Sequence, residues 1–347
     1  PIGVVSFLLL LSAYRESAAK RKQVIDWAGA ILLTAGLLCL MFALELGGTD
    51  GWAWESAGIV GLFVAAAAGL ALFLIAEAKA KDPIVPLGLF KDRVFTSSQV
   101  IGFLYGGVMI AGATYIPLFV QGVFHETATS TGLILTPMML GVVVSSMTGG
   151  VLGGKLPYRN IMLVSVLVLT GAIYLLGTLD TDTSRGLITL YMVLVGLGMG
   201  VPFSVLNLST LTNVPPQAKG IATSMVAFFR SIGTALGITV LGVIQKHEFQ
   251  SGAKAVVGDN AQLFEKVKSG QELLSPQASQ FMDPAILERL VGALAHSIVQ
   301  LFQFAIALPI AAFVFVLLMG NARAVARRTQ PGGQAAADAA PAAADRG

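Results

Sequence analysis

The stretch Lys219–Gln245, KGIATSMVAFFRSIGTALGITVLGVIQ, decides the class of this protein. It exceeds the roughly 20 apolar residues that cross a hydrocarbon core at 1.5 Å rise each, and Arg230 stands near its middle. An arginine at the centre of an inserted helix costs roughly 2.5–3.5 kcal/mol on insertion scales. Each Ile, Val, Leu or Phe returns about 0.3–0.6 kcal/mol. The eleven in this segment (Ile221, Val226, Phe228, Phe229, Ile232, Leu236, Ile238, Val240, Leu241, Val243, Ile244) therefore return roughly 3–7 kcal/mol. Insertion wins, provided the arginine faces protein or water rather than lipid.

Outward from this stretch the chain repeats the pattern. Of 347 residues, 55% are apolar and 12% charged, with a mean hydropathy of +0.78. A soluble domain carries about 25% charged residues, so the expected class is all-α: a polytopic membrane helix bundle. Full-length spans are expected near Ile25–Leu46, Ala57–Glu77, Thr96–Val123, Thr131–Leu152, Asn160–Leu179, Gly186–Leu211, Lys219–Gln245 and Ser297–Met319. The opening run PIGVVSFLLLLSA (1–13) lacks the positive leader of a signal peptide and reads as the end of a truncated helix. Residues 14–95 are expected to hold charged connectors and two inserted helices, and 96–320 a six-helix unit with a loop at 246–296. The Ala/Pro/Gly-rich tail 321–347 has little to bury and is expected to be disordered.

Charge sets the orientation. Alternate loops carry Arg15, Lys20, Arg21, Lys22, Lys79, Lys81, Lys91, Arg93, Lys155, Arg159, Lys219, Arg323, Arg327 and Arg328, while the opposite short loops carry Arg185 alone. The positive-inside rule makes the first set cytoplasmic, with the C-terminus, and puts 246–296 outside. Within that loop Asp283-Pro284 reads as an N-cap with proline at the first helical position. Ile286, Leu290 and Leu294 then continue at helical spacing, as a short interfacial helix leading into the last span.

Chemistry-bearing motifs are sparse. A formal charge of +3 is too small to argue for nucleic acid, and the single cysteine, Cys39, gives neither a disulfide nor a thiolate site within one chain. There is no phosphate loop, no HExxH and no paired intramembrane carboxylates. His125, His247 and His296 lie in or beside outside loops without a metal-ligand context. No enzyme and no cofactor are expected.

The spans hold small residues and prolines instead. Gly102, Gly106, Ala113 and Pro117 share a face with Tyr105 and Met109 beside it. Pro137 and Pro202 interrupt two further helices, and GTALG (Gly233–Gly237) and GGVLGG (Gly149–Gly154) allow close helix approach. Asn207 is expected to face the bundle interior, touching substrate or tying helices together. Asp26, Glu45 and Glu77 are read as interface residues near span ends. For Arg230 three readings stand: snorkelling to headgroups about 16 Å away at Lys219, an interhelix hydrogen-bond hub, or a part in a transport cycle.

In order along the chain, VFTSSQVIGFLYGGVMIAGATYIPLFVQ, TGLILTPMMLG, GGVLGGKLPYR, LGMGVPFSVL and AFFRSIGTALG resemble the fourteen-span drug:proton antiporters of the major facilitator superfamily. The resemblance covers residues 1–320. It implies an N-terminally truncated copy: the end of a sixth span, two inserted spans, then the second six-helix half. It further implies proton-coupled export of drugs or other small amphipathic compounds across a bacterial plasma (inner) membrane, driven by the proton gradient without a cofactor. Its partners would be the bilayer, a small-molecule substrate and a preceding half of the same protein. An exporter of one metabolite, such as an antibiotic or siderophore, and a truncated non-transporting fragment are the alternatives.

On that resemblance Arg230, Asn207, Pro117, Pro137 and Pro202 are assigned to transport or gating. Tyr105, Met109, Met138 and Phe229 become candidate cavity contacts. Gly150, Lys155 and Arg159 fit a degenerate copy of the superfamily's cytoplasmic loop motif. Gly154 stands where its acid would be and Pro157 where a glycine would be, leaving Lys155 and Arg159 as docking charges.

Overall fold

The computed structural model describes Phe7 and residues 26–47, 52–80, 83–124, 128–215, 218–258, 260–267, 270, 273 and 283–320. The truncated helix 1–13 (Phe7 apart), the connector 14–23, His125 and the tail 321–347 lie outside the described residues. Within them every regular element is helical: α1 (Trp27–Leu46), α2 (Ala57–Lys79), a 3-10 turn (Leu87–Lys91), α3 (Arg93–Phe124), α4 (Ala128–Gly153), α5 (Tyr158–Leu176), α6 (Arg185–Thr210), α7 (Lys219–Val257), α8 (Ala261–Val267), α9 (Pro284–Ala305) and α10 (Ala307–Leu318). Counting α9 and α10 as one, eight are long and apolar enough to cross a bilayer, as the hydropathy pattern requires.

Glycine sets which helices touch. α4 packs along α6, and α3 along α7, more extensively than any other pairs. In the α3–α7 contact a methyl at Gly106 would overlap the Arg230 carbonyl oxygen, and one at Gly233 the Phe103 carbonyl oxygen. In the α4–α6 contact Gly196 and Gly200 meet the Met138 and Val142 carbonyls in the same way. These backbones lie against each other, as small residues permit in a medium that supplies no hydrophobic force between helices.

Hydroxyls then join the closely packed backbones. Ser145 donates to the Gly196 carbonyl at 3.2 Å, Ser204 to that of Ser146 at 2.7 Å, and Thr234 to that of Gly106 at 3.3 Å. Ser98 and Ser209 share a hydrogen bond of 2.9 Å, and Gln245 reaches Ser297 at 3.0 Å. The proline inside α6 explains one such bond. Pro202 has no N–H to give the carbonyl four residues back, which belongs to Gly198, and Ser165 of α5 donates to that oxygen at 2.6 Å.

Two helices depart from the sequence expectation. α7 does not stop at Gln245 but runs 39 residues to Val257, about 58 Å against about 40–45 Å for a whole bilayer. The extension survives because Phe249 and Ala253 continue its buried face and are fully covered, within the core that includes Leu290 and Leu294 of α9. The stretch expected to be loop is thus helical at both ends, α9 starting at Pro284 with Asp283 as N-cap. The last span breaks at Ile306. Pro309, three residues later, cannot donate to the Ala305 carbonyl, and the helix restarts there as α10.

The two inserted helices pack mainly on each other and expose much apolar surface, as lipid-facing spans do. Their junction with α3 forms a second, smaller core: Phe73, Val85, Phe95, Val214, Ala222 and Met225 are buried together.

Candidate functional site

Where α3, α6 and α7 converge, Gly102, Tyr105, Met109, Met199, Pro202, Phe203, Leu206, Val226 and Arg230 enclose a cleft of about 280 Å³. It is narrow, barely admitting a water molecule. Gly102 adds no side chain on the α3 side, where a Cβ would make ordinary contact 3.6 Å from the Val226 carbonyl oxygen. Tyr105, 3% exposed, places its hydroxyl in the buried interior beside Ser165. Ser165 donates its own proton to the Gly198 carbonyl, and the phenol makes no hydrogen bond within the bundle.

Among the described residues Arg230 is the only formal charge lining the cleft. Its guanidinium carbon lies 4.6 Å from the centroid of the Phe203 ring, within range for a cation–π contact. Among the described residues no acid lines the cleft with it. The side chain is therefore held inside the bundle, against a ring, rather than drawn back to Lys219. It is also no hydrogen-bond hub among the described residues.

The cleft gathers Tyr105, Met109, Pro202 and Arg230 of the residues assigned from sequence, and not the others. Asn207 is half-buried one turn further along α6, and its amide donates to the Phe203 carbonyl of its own helix at 2.7 Å. Met138 is 1% exposed in the main core. Phe229 belongs to the second core, its ring 5.8 Å from that of Phe90 and 5.6 Å from that of Phe228. Pro117 and Pro137 are half-buried within α3 and α4, outside the cleft. Gly150 faces Ser204. Lys155 is exposed in the α4–α5 turn, and Arg159 half-buried in the first turn of α5.

Phe203 and Met199 line the cleft and were not singled out from the sequence. Their signal was periodicity: Met199, Phe203 and Leu206 fall at i, i+4 and i+7, one face of a helix already marked by Pro202.

The pattern of the Major Facilitator Superfamily matches residues 4–238. Multidrug resistance protein 3 of Bacillus subtilis (strain 168) is 40% identical over 330 residues, covering 93% of this chain and 64% of that protein. Multidrug transporter protein MdtP of the same organism is 37% identical over 244 residues, covering 70% of this chain and 45% of that protein. The chain thus spans less than two thirds of the length of these relatives. Among solved structures, a bacterial homolog to the human lysosomal transporter Spinster, inward-facing and occupied, superposes with a TM-score of 0.50 at 16% identity. That match covers 84% of this chain and 66% of the other, and it supports the helical transporter fold.

Proposed function

The chain belongs to the major facilitator superfamily, and on that premise we propose that it is the second half of a proton-coupled exporter of drugs or other small amphipathic compounds. It would be of the fourteen-span kind, with α1 and α2 as the spans inserted between two six-helix halves. The observation that carries the reading is the cleft: a lone guanidinium on an aromatic ring, with apolar and thioether walls, where α3, α6 and α7 converge. Methionine and aromatic surfaces adapt to varied apolar ligands. Two relatives bear multidrug names.

In this reading the two halves rock about a site near the midplane of the membrane, the arrangement found in repeat-built transporters. Tyr105, Met109, Met199 and Phe203 form this half's wall of the cavity, and Met138 and Phe229 support it from behind. Pro117, Pro137 and Pro202 are the points where α3, α4 and α6 adjust. Arg230 answers a carboxylate of the opposing half, steadying its ionised form in one state and releasing it for protonation in the other. Asn207 positions Phe203 through its backbone, and Gly150, Lys155 and Arg159 dock the cytoplasmic ends. The protein resides in a bacterial plasma membrane.

The test is ethidium efflux from cells expressing this chain together with the preceding half. Efflux abolished by a protonophore, and lost in Arg230→Ala at unchanged membrane abundance, is the expected result. Full efflux in Arg230→Ala removes the arginine from the cycle. Transport of a single compound from a broad panel favours a dedicated metabolite exporter, and no transport at all a non-transporting fragment.

A further inference from the structure

The inserted hairpin carries a second ionisable constellation that the transport reading does not use. Asp26 caps α1, its Oδ1 accepting from the Gly29 N–H at 2.9 Å. Glu77, in the last turns of α2, stands where an interface residue was expected, yet it is only 2% exposed. Its Oε1 accepts from the Val85 N–H. The second oxygen of each carboxyl, Asp26 Oδ2 and Glu77 Oε2, is buried without a donor. Gly36 and Gly69 abut where α1 packs antiparallel on α2, which brings the start of one helix, with Asp26, to the end of the other, with Glu77.

Two bare carboxylates in that position would repel, and the second oxygen of each would have given up hydration without a donor in return. Among the described residues no cation compensates them. Asp26 is the only charged group acting on Glu77 among the described residues. Lys79 on the same helix end is exposed. Lys91, Asp92 and Arg93 beyond the connector and Lys219 at the start of α7 contribute no charge to the site, and Ile84 and Val85 offer only backbone N–H. A single proton removes both deficits at once, turning two orphaned acceptors into one donor–acceptor pair.

We propose that Asp26 and Glu77 hold one proton between them, as a carboxyl–carboxylate hydrogen bond that ties the start of α1 to the end of α2. The Glu77 end also anchors Val85, which is buried with Phe73, Phe95, Ala222 and Met225. The link therefore extends from the hairpin through the connector to the first turns of α7, the helix that carries Arg230. Loss of the proton leaves two facing anions and loosens that attachment. The site belongs to this chain alone and stands whether or not the transport reading does.

Infrared spectroscopy of the chain reconstituted in liposomes tests this at neutral pH, through the carbonyl band of protonated carboxyls. Glu77→Gln and Asp26→Asn each supply an N–H where the proton sat, so the link and the fold are kept. Each variant is expected to lose one protonated-carboxyl band relative to the parent. The double variant is expected to lose no more, because there is one proton and not two. Superimposable spectra of the parent and both single variants would overturn the proposal, since both groups would then be ionised. So would losses that add in the double variant, which denote two independent neutral acids. A band that appears only after a chelator is added would also overturn it, in favour of a bridging divalent cation.

Discussion

A guanidinium 4.6 Å from an aromatic centroid, in a cleft that hardly admits water, gains about 2 kcal/mol from the ring's quadrupole. With no acid lining the cleft among the described residues, Arg230 depends on that ring. Phe203→Leu is therefore expected to lower stability by about 1–2 kcal/mol, while Phe203→Tyr stays near the parent, read as thermal unfolding in one detergent. An equal loss in both variants would mean that packing, not the quadrupole, is what Phe203 provides. The depth of Arg230 was legible from the sequence, because its distance from Lys219 is a matter of helical rise. Its contact was not. Which ring meets a side chain depends on how α6 is rotated against α7, and no single-helix pattern encodes that. Asn207 shows the same limit: burial was foreseeable, but its amide turned back to its own helix.

At the scale of the element, the bundle rests on backbone-to-backbone crossings and on side chains that close the gaps they leave. Gly233 lies on the Phe103 carbonyl, and neither backbone can retreat without parting α3 from α7. Gly233→Ala is expected to cost about 1–3 kcal/mol, as an overpacked core does. Gly220→Ala on the same helix, where an added methyl meets open space, is expected to cost nothing or to stabilise slightly; paired thermal melts check both. Ser165→Ala should also weaken the fold, by about 1–3 kcal/mol, because it strips the Gly198 carbonyl that Pro202 leaves without an N–H. Placing the same substitution in a Pro202→Ala background, which restores that N–H, is expected to shrink the loss; an undiminished loss would show that Ser165 matters for another reason. The glycine faces and prolines were readable in the sequence as small-xxx-small runs and breaks in helical donors. The length of α7 was not, since its continuation past Gln245 depends on Phe249 and Ala253 finding cover within the core that α9 shares.

At the scale of the molecule, the question is which end of the cleft opens to which side of the membrane. Counting the lysines and arginines of the short loops proposes the sides, and the packing sorts the same loops into two ends independently. At one end the Asn213 amide, just past α6, donates to Asp92 at the head of α3 at 2.7 Å. Val214 and Ala222 are buried with Phe95 there, and Gly153 at the close of α4 approaches Leu208. At the other end Arg185 reaches the Ser130 carbonyl at 3.4 Å, and Thr181, Asp182 and Val123 share a cavity wall with the start of α9. Among the short loops the first group holds nearly all the cations and the second Arg185 alone, the lysines of 246–296 lying in a long stretch outside that count, so the orientation proposed on positive-inside bias has the first group in the cytoplasm. With Cys39→Ser removing the only native thiol, Asp182→Cys is expected to react with a membrane-impermeant maleimide on intact cells. Lys155→Cys, exposed on the opposite turn, is expected to react only after the membrane is permeabilised. The reverse pattern would invert the bundle, place Lys219 and the α7 entrance outside, and require the proposed export to run through the cleft in the opposite direction.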